Sequence, residues 1–324
     1  MAESNSKFVV YAATTGNALV ALTKFAAAFF SGSSAMLSEA IHSVADTGNQ
    51  VLLLYGMHRA DKPPDQLHPL GYGRELYFWS FIVALVMFAL GAGVALYEGV
   101  QHVMAPEQIS EAWVNYIVIG CAAVFEGTSW FIALREFRRS KGSLGYIEAV
   151  KRSKDPPGFI VIFEDSAALI GLLLAFIGTF ASVHLDMPVI DGYASIGISV
   201  VLAFTALALA HESKGLLIGE TAQPEVRKSI SDIVNRTKGV ESGQIAFTVH
   251  LAPDEIVVAL NLDYDDELTA PEIEETTRNI EQAIHAAHPD VIALFVKPQA
   301  ASAHRRNPFG RLGGAARKFS ERPG

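Results

Sequence analysis

The sequence predicts an all-α membrane domain of six spanning helices followed by a small α+β domain. Half of the 324 residues are hydrophobic, 18% are charged and the mean hydropathy is +0.28, too apolar for a water-soluble chain of this length. Six mainly apolar runs each reach the roughly 20 residues a helix needs to cross the hydrocarbon with its backbone hydrogen bonds closed internally. Beyond Glu220 the pattern changes to amphipathic and alternating segments.

The six runs are Phe8 to Phe30, Ser34 to Met57, Leu76 to Val103, Trp113 to Leu134, Phe159 to Val183 and Val189 to Ala210. The first is followed at once by another span and has no small-residue cleavage site after it, so it reads as a retained helix. Cys121 is the single cysteine, which excludes a disulfide framework or a cysteine metal cluster within one chain. Loop charge sets the orientation. Arg59, Lys62 and Arg74 follow the second run and seven basic residues from Arg135 to Lys154 follow the fourth, whereas the connections after the first, third and fifth runs carry none. Positive-inside bias puts both termini in the cytoplasm. The segment before Phe8 has no Arg-rich amphipathic stretch, which points to a bacterial inner (cell) membrane. The net charge of -9 gives no support to nucleic-acid binding.

The second part opens with an amphipathic stretch from Pro224 to Thr237. Two β-branched runs follow, Gln244 to Leu251 and Glu255 to Tyr264, joined by Ala-Pro-Asp as a hairpin. Thr269, Pro271 and Glu272 mark the start of a helix that ends near His288-Pro289, and Val291 to Val296 is a last strand. The order α-β-β-α-β suits a ferredoxin-like α+β layer with its helices on one face, small enough that dimerisation is expected. The domains are thus a six-helix unit over 1–213, an α+β unit over 214–299 and a basic tail over 300–324, rich in Arg and Gly and expected to be disordered.

Ionisable groups at membrane depth cost about 2.5 to 3.5 kcal/mol each on insertion scales, so each requires a reason. His42 and Asp46 lie four residues apart in the second run and share a helix face one turn from each other. Ser38 and Asn49 fall on the same stripe and Glu39 at its edge. An imidazole and a carboxylate on adjacent turns suit zinc and its neighbours; they would equally serve as a hydrogen-bonded pair holding two helices together. In the fifth run Glu164 and Asp165 are adjacent and point about 100° apart. Asp165 is the expected ligand and Glu164 its supporting partner or a proton carrier, unless Glu164 sits near the interface. Lys24 and Glu126 are opposite charges at comparable depth and read as a buried ion pair, with a proton relay as the alternative.

These residues are embedded in Gly32 to Asp46 (GSSAMLSEAIHSVAD), His68 to Glu75 (HPLGYGRE) and Phe163 to Leu169 (FEDSAAL). With those three motifs in order on the expected helices, the chain resembles the cation diffusion facilitator family over nearly its whole length. The resemblance implies a homodimer that binds a divalent metal between the second and fifth helices and exchanges it for protons by alternating access. It also implies that the α+β domain is a metallochaperone-like dimerising module. His42, Asp46 and Asp165 match the ligand positions; the family usually has a His or Asp four residues before that last Asp, where this chain has Val161. Water, Glu164 after a helix distortion, or Asn49 would fill the gap. Asp65 and His68 match two positions of a loop site found in some members, with Tyr72 at the third; Arg74 matches a basic gate residue whose acidic partner here is Glu220. His250, His285 and His288 do not reproduce the family's site in the soluble domain, so tight metal binding there is not expected.

The expected activity is therefore proton-coupled efflux of a divalent transition metal, zinc as transported substrate, with no organic cofactor. Manganese, iron or cobalt as cargo and a non-transporting metal-responsive scaffold are the alternatives. An enzyme is not expected, since the sequence has no His-Glu-x-x-His and no Gly-x-Ser-x-Gly turn.

Overall fold

The computed structural model describes residues 2–31, 34–106 and 112–300, so the basic tail from 301 onward lies outside the described residues. The chain divides between Ile218 and Gly219 into two units. Gly219 has a φ of 113°, a left-handed conformation that glycine adopts without Cβ strain and that ends a long helix.

The first unit is a helical bundle made of α1 (Ala2–Ser31), α2 (Ser34–Ala60), α3 (Arg74–Val86), α4 (Gly93–Met104), α5 (Ala112–Ser140), α7 (Pro156–His184) and α8 (Val189–Ile218), with the short α6 (Tyr146–Arg152) in a connection. α3 and α4 form one continuous span through a π-helical turn over Met87–Ala92, which gives the six helices predicted. Among the described residues, five spans are long and apolar enough to cross a bilayer: Lys7–Ala26, Arg74–Met104, Asn115–Ser140, Pro156–His184 and Val189–Ile218. The sixth helix, α2, carries Ser43, Asp46, Asn49 and Gln50 along its middle.

Packing follows from small residues and apolar faces. α1 packs on α2 and α5, α7 on α5 and α8, and the α3–α4 span on α8. α4 and α8 approach most closely at Gly99 and Gly192. A Cβ on Gly99 would lie 2.8 Å from the backbone N of Ile196, and one on Gly192 would lie 2.8 Å from the backbone N of Val103. Close backbone approach of this kind is how membrane helices associate when burial from water no longer drives them. Ser199 of α8 donates to the Ala92 carbonyl at 2.9 Å, supplying a partner beside the π-helical turn where the regular ladder is interrupted.

Because six spans alternate in direction, the start of α1 and the end of α8 share one side, here called the termini side. The apolar core lies in that half. Leu53 and Met57 of α2, Tyr77 of α3, Phe159 and Val161 of α7 and Leu209 of α8 pack there, all buried. At the rim of this half Arg59 reaches Glu75 at 2.7 Å, and the Trp79 indole donates to the other Glu75 oxygen at 2.8 Å. Lys7 pairs with Asp61 at 2.8 Å.

The second unit has α9 (Pro224–Arg236), β1 (Val240–Ala252), β2 (Glu255–Tyr264), α10 (Ala270–Ala287) and β3 (Val291–Pro298), the predicted order. The sheet runs β1-β2-β3, with β1 antiparallel and β3 parallel to the central β2. The parallel pairing requires the crossover that α10 supplies. Ile256, Val258, Leu260 and Leu262 of β2 form a core with Ile230 and Val234 of α9 and Ile280 and Ile284 of α10. Period two in β2 meets period 3.6 in the helices, so one sheet face is covered. At the start of α10 the Glu272 carboxylate accepts from the Thr269 backbone N–H at 2.8 Å and from its hydroxyl at 2.7 Å, the predicted cap.

Candidate metal site

α2 and α7 bring the predicted acids to the middle of the bundle, against α5 and α1. Asp165 is 1% exposed, and one of its oxygens accepts from the Ser129 hydroxyl of α5 at 2.7 Å. Glu164 is 8% exposed, which places it in the interior and not at the interface. Gln50 of α2 donates to Glu164 through Nε2, and the Asn49 side chain lies beside the same carboxylate. Asp46 is half-buried, and its charge acts on Glu164 and on Glu126 of α5. α7 is helical without a break from Pro156 to His184, so Glu164 reaches its position with no helix distortion. The side chains of His42, Ser38 and Glu39 lie outside the described residues.

Burial of these groups leaves a pattern of unsatisfied acceptors. Asn49 Oδ1, Gln50 Oε1, Glu164 Oε1 and Asp165 Oδ1 are buried without a hydrogen-bond partner. Most buried polar atoms in native proteins are paired, so four such oxygens on these two helices mark a polar spot that a cation, water or a proton would satisfy. Among the described residues no three His, Cys, Asp or Glu side chains converge to hold a metal ion. Val161, one turn before Asp165, is fully buried in the apolar core and offers no donor.

A cavity of about 170 Å³ rises from Asp46 and Glu164 into the half of the bundle away from the termini. Asn17 and Lys24 of α1, Ser43 of α2, Glu98 of α4 and Glu126 of α5 line it. Lys24 and Glu126 therefore share one wall, close enough for the lysine charge to act on Glu126, which also feels Asp46 and Asp165. The two faces of the site differ accordingly: a charged cavity above it, packed hydrocarbon below.

The loop residues are also brought together. One Asp65 oxygen accepts from the backbone N–H groups of Leu67 and His68 at 2.9 and 2.7 Å, and the other from the Tyr72 hydroxyl at 2.6 Å. The Tyr72 hydroxyl, then the His68 N–H, hold the Asp65 carboxyl below its usual range. His68 Nδ1 is 3.5 Å from the same carboxylate. Both Asp65 oxygens are thus engaged by the loop's own turn. Arg74 opens α3, and the Glu220 carbonyl accepts from the His250 N–H at 2.9 Å in the second unit. Arg74 and Glu220 thus belong to different units. In the second unit His288 meets Ser229 at 2.8 Å and His285 lies 3.8 Å from Glu281, so the two histidines have different partners.

Gln50, Ser129 and Glu98 are site residues that sequence reasoning missed. Gln50 had a signal, since it continues the four-residue spacing of His42 and Asp46 by one more turn.

The sequence model of the cation efflux transmembrane domain matches residues 10–218. The proton-coupled zinc antiporter SLC30A9, mitochondrial, of Homo sapiens, that is zinc transporter 9, is 29% identical over 259 residues, 79% of this chain and 46% of the relative. The chain thus spans about half the length of that relative. Metal tolerance protein C4 of Arabidopsis thaliana is 34% identical over 44% of this chain and 31% of its own length. The cation-efflux pump FieF of Escherichia coli O1:K1 / APEC is 24% identical over 87% of this chain and 89% of its own length. The match runs from within α1 to the last residue of α8 and so takes in every helix that builds the buried site, and on that footing the chain belongs to the cation efflux, or cation diffusion facilitator, family.

Proposed function

We propose that this chain exports a divalent transition metal ion, zinc by preference, in exchange for protons by alternating access. The carrying observation is the set of buried acids with partnerless oxygens between α2 and α7, at the foot of a charged cavity. Carboxylates and a neutral imidazole bind metal only when deprotonated, so protons compete with the ion for His42, Asp46 and Asp165. An inward proton gradient then drives metal outward. The relative named a proton-coupled zinc antiporter supports the coupling, and the one named a cation-efflux pump supports the direction.

In this reading the ion moves with no chemical transformation, so the chain is not an enzyme. In this reading the apolar packing of Met57, Tyr77, Phe159 and Leu209 forms the closed face on the termini side, and the cavity marks the route between the site and the far side. Both termini are cytoplasmic, the protein lies in the inner membrane, and it works as a homodimer through its α+β unit.

The test is uptake of Zn²⁺, Mn²⁺, Fe²⁺ and Co²⁺ into proteoliposomes under an imposed pH gradient. Gradient-dependent zinc uptake that vanishes in Asp46→Asn and Asp165→Asn is the expected result. Metal binding at equilibrium with no flux in any condition would replace the transporter with a metal-responsive scaffold.

A further inference from the structure

Val161 is packed in the core and offers no donor, which leaves Glu164 and Asp165 as the site's polar groups on α7. A further protein donor comes from another helix, and α2 is the one whose side chain reaches Glu164. Asn49 and Gln50 follow Asp46 by three and four residues, which puts them about 60° to one side and about 40° to the other of its direction, one turn nearer the termini. They flank the line along which Asp46 faces the site.

Gln50 is 1% exposed and Asn49 is 3% exposed. The Gln50 amide uses its N–H on Glu164 and keeps its oxygen, Oε1, without a partner. Asn49 Oδ1, Glu164 Oε1 and Asp165 Oδ1 are likewise buried acceptors without a partner. Such acceptors are satisfied by a cation, by a donating water or by a proton on a carboxyl, and a bound cation engages several of them at once. The Gln50 amide donates to Glu164 and leaves Oε1 to meet a cation bound beside that carboxylate.

We propose that Gln50 is a ligand of the transported ion through Oε1, supplying from α2 the donor that Val161 cannot supply from α7. This rests on the reading that the ion is bound between α2 and α7. The consequence is a donor set dominated by oxygen, which favours harder divalent ions more than a histidine-rich site would. Gln50 thus sets how well manganese competes with zinc.

The alternative role is positioning, in which Gln50 only holds Glu164 by its N–H. Isothermal titration of the purified full chain with Zn²⁺ and with Mn²⁺ separates the two, using wild type, Gln50→Leu and Gln50→Glu. A ligand role predicts that Gln50→Leu weakens Mn²⁺ binding about tenfold more than Zn²⁺ binding, because zinc retains its imidazole. Gln50→Glu, which keeps an oxygen there but has no amide to donate, restores Mn²⁺ affinity to wild type or better. Equal losses for both metals in both variants would reduce Gln50 to a positioning residue and overturn the proposal, as would wild-type affinities throughout. If Gln50→Leu does not fold, the near-isosteric Gln50→Glu decides alone: retained Mn²⁺ affinity supports the ligand role and its loss overturns it. A wild-type chain that binds neither metal would fail the transport reading itself, and this proposal with it.

Discussion

The two halves of the membrane bundle are built from spans of similar length, yet they behave as different materials. The termini half is filled by Leu53, Met57, Tyr77, Phe159, Val161 and Leu209. The far half encloses a cavity with Lys24, Asp46, Glu98 and Glu126 on its walls. Glu164 and Asp165 sit where they meet. A packed apolar half excludes water and ions by side-chain packing alone, with no charge that has to be neutralised. A charged half cannot be dried out in the same way. The asymmetry fits the alternating access proposed above, with an apolar face on one side of the site and a polar face on the other.

The largest expected effect comes from breaking the boundary between the halves. Asp165→Asn removes the charge but keeps the shape and the Ser129 contact, and zinc uptake in proteoliposomes should fall by about 100-fold or more. Next in size is the close approach in the far half. Gly99→Val drives a side chain into the backbone of α8, so thermal unfolding in detergent should show a loss of about 1–3 kcal/mol, whereas Gly120→Ala, where a Cβ meets nothing within 4 Å, should be near neutral. At the rim of the apolar half, Arg59→Gln removes a partly exposed ion pair with Glu75 and should lower stability by less than Gly99→Val in the same measurement.

The smallest effect lies outside the bundle and sharpens the comparison as a control. The hydroxyl of Thr269, then its backbone N–H, hold the Glu272 carboxyl below its usual range. A depressed folded-state value means the cap's contribution is present above the unfolded carboxyl pKa of about 4.3 and is lost as pH falls through the folded value. The thermal midpoints of wild type and Glu272→Gln should therefore differ at neutral pH and converge in acid. Zinc flux should not respond to this substitution.

Of the candidate site, the acids that the structure brings together, Asp46, Glu164 and Asp165, could be picked out in the chain, while the side chain of His42 lies outside the described residues. The four-residue spacing of His42 and Asp46 and the adjacent Glu164 and Asp165 stand out because charge inside an apolar run is costly and rare. Gln50 did not stand out, since a neutral amide draws no attention until its burial and its contact with Glu164 are seen. Arg59 was read only as a loop charge, and its pairing with Glu75 depends on how the end of α2 meets the start of α3. The π-helical turn was hidden as well, because Ser199, which serves the Ala92 carbonyl, lies on another helix.

The sequence by itself determined six helices, their polar stripes and the α-β-β-α-β order of the second unit, since hydropathy and periodicity are properties of neighbours along the chain. Only the tertiary structure decided which half of the bundle is sealed, which wall Lys24 and Glu126 share and which oxygens of Asn49, Gln50, Glu164 and Asp165 are left without partners. Whether a buried polar atom is satisfied depends on what faces it from another helix, and no local pattern carries that information.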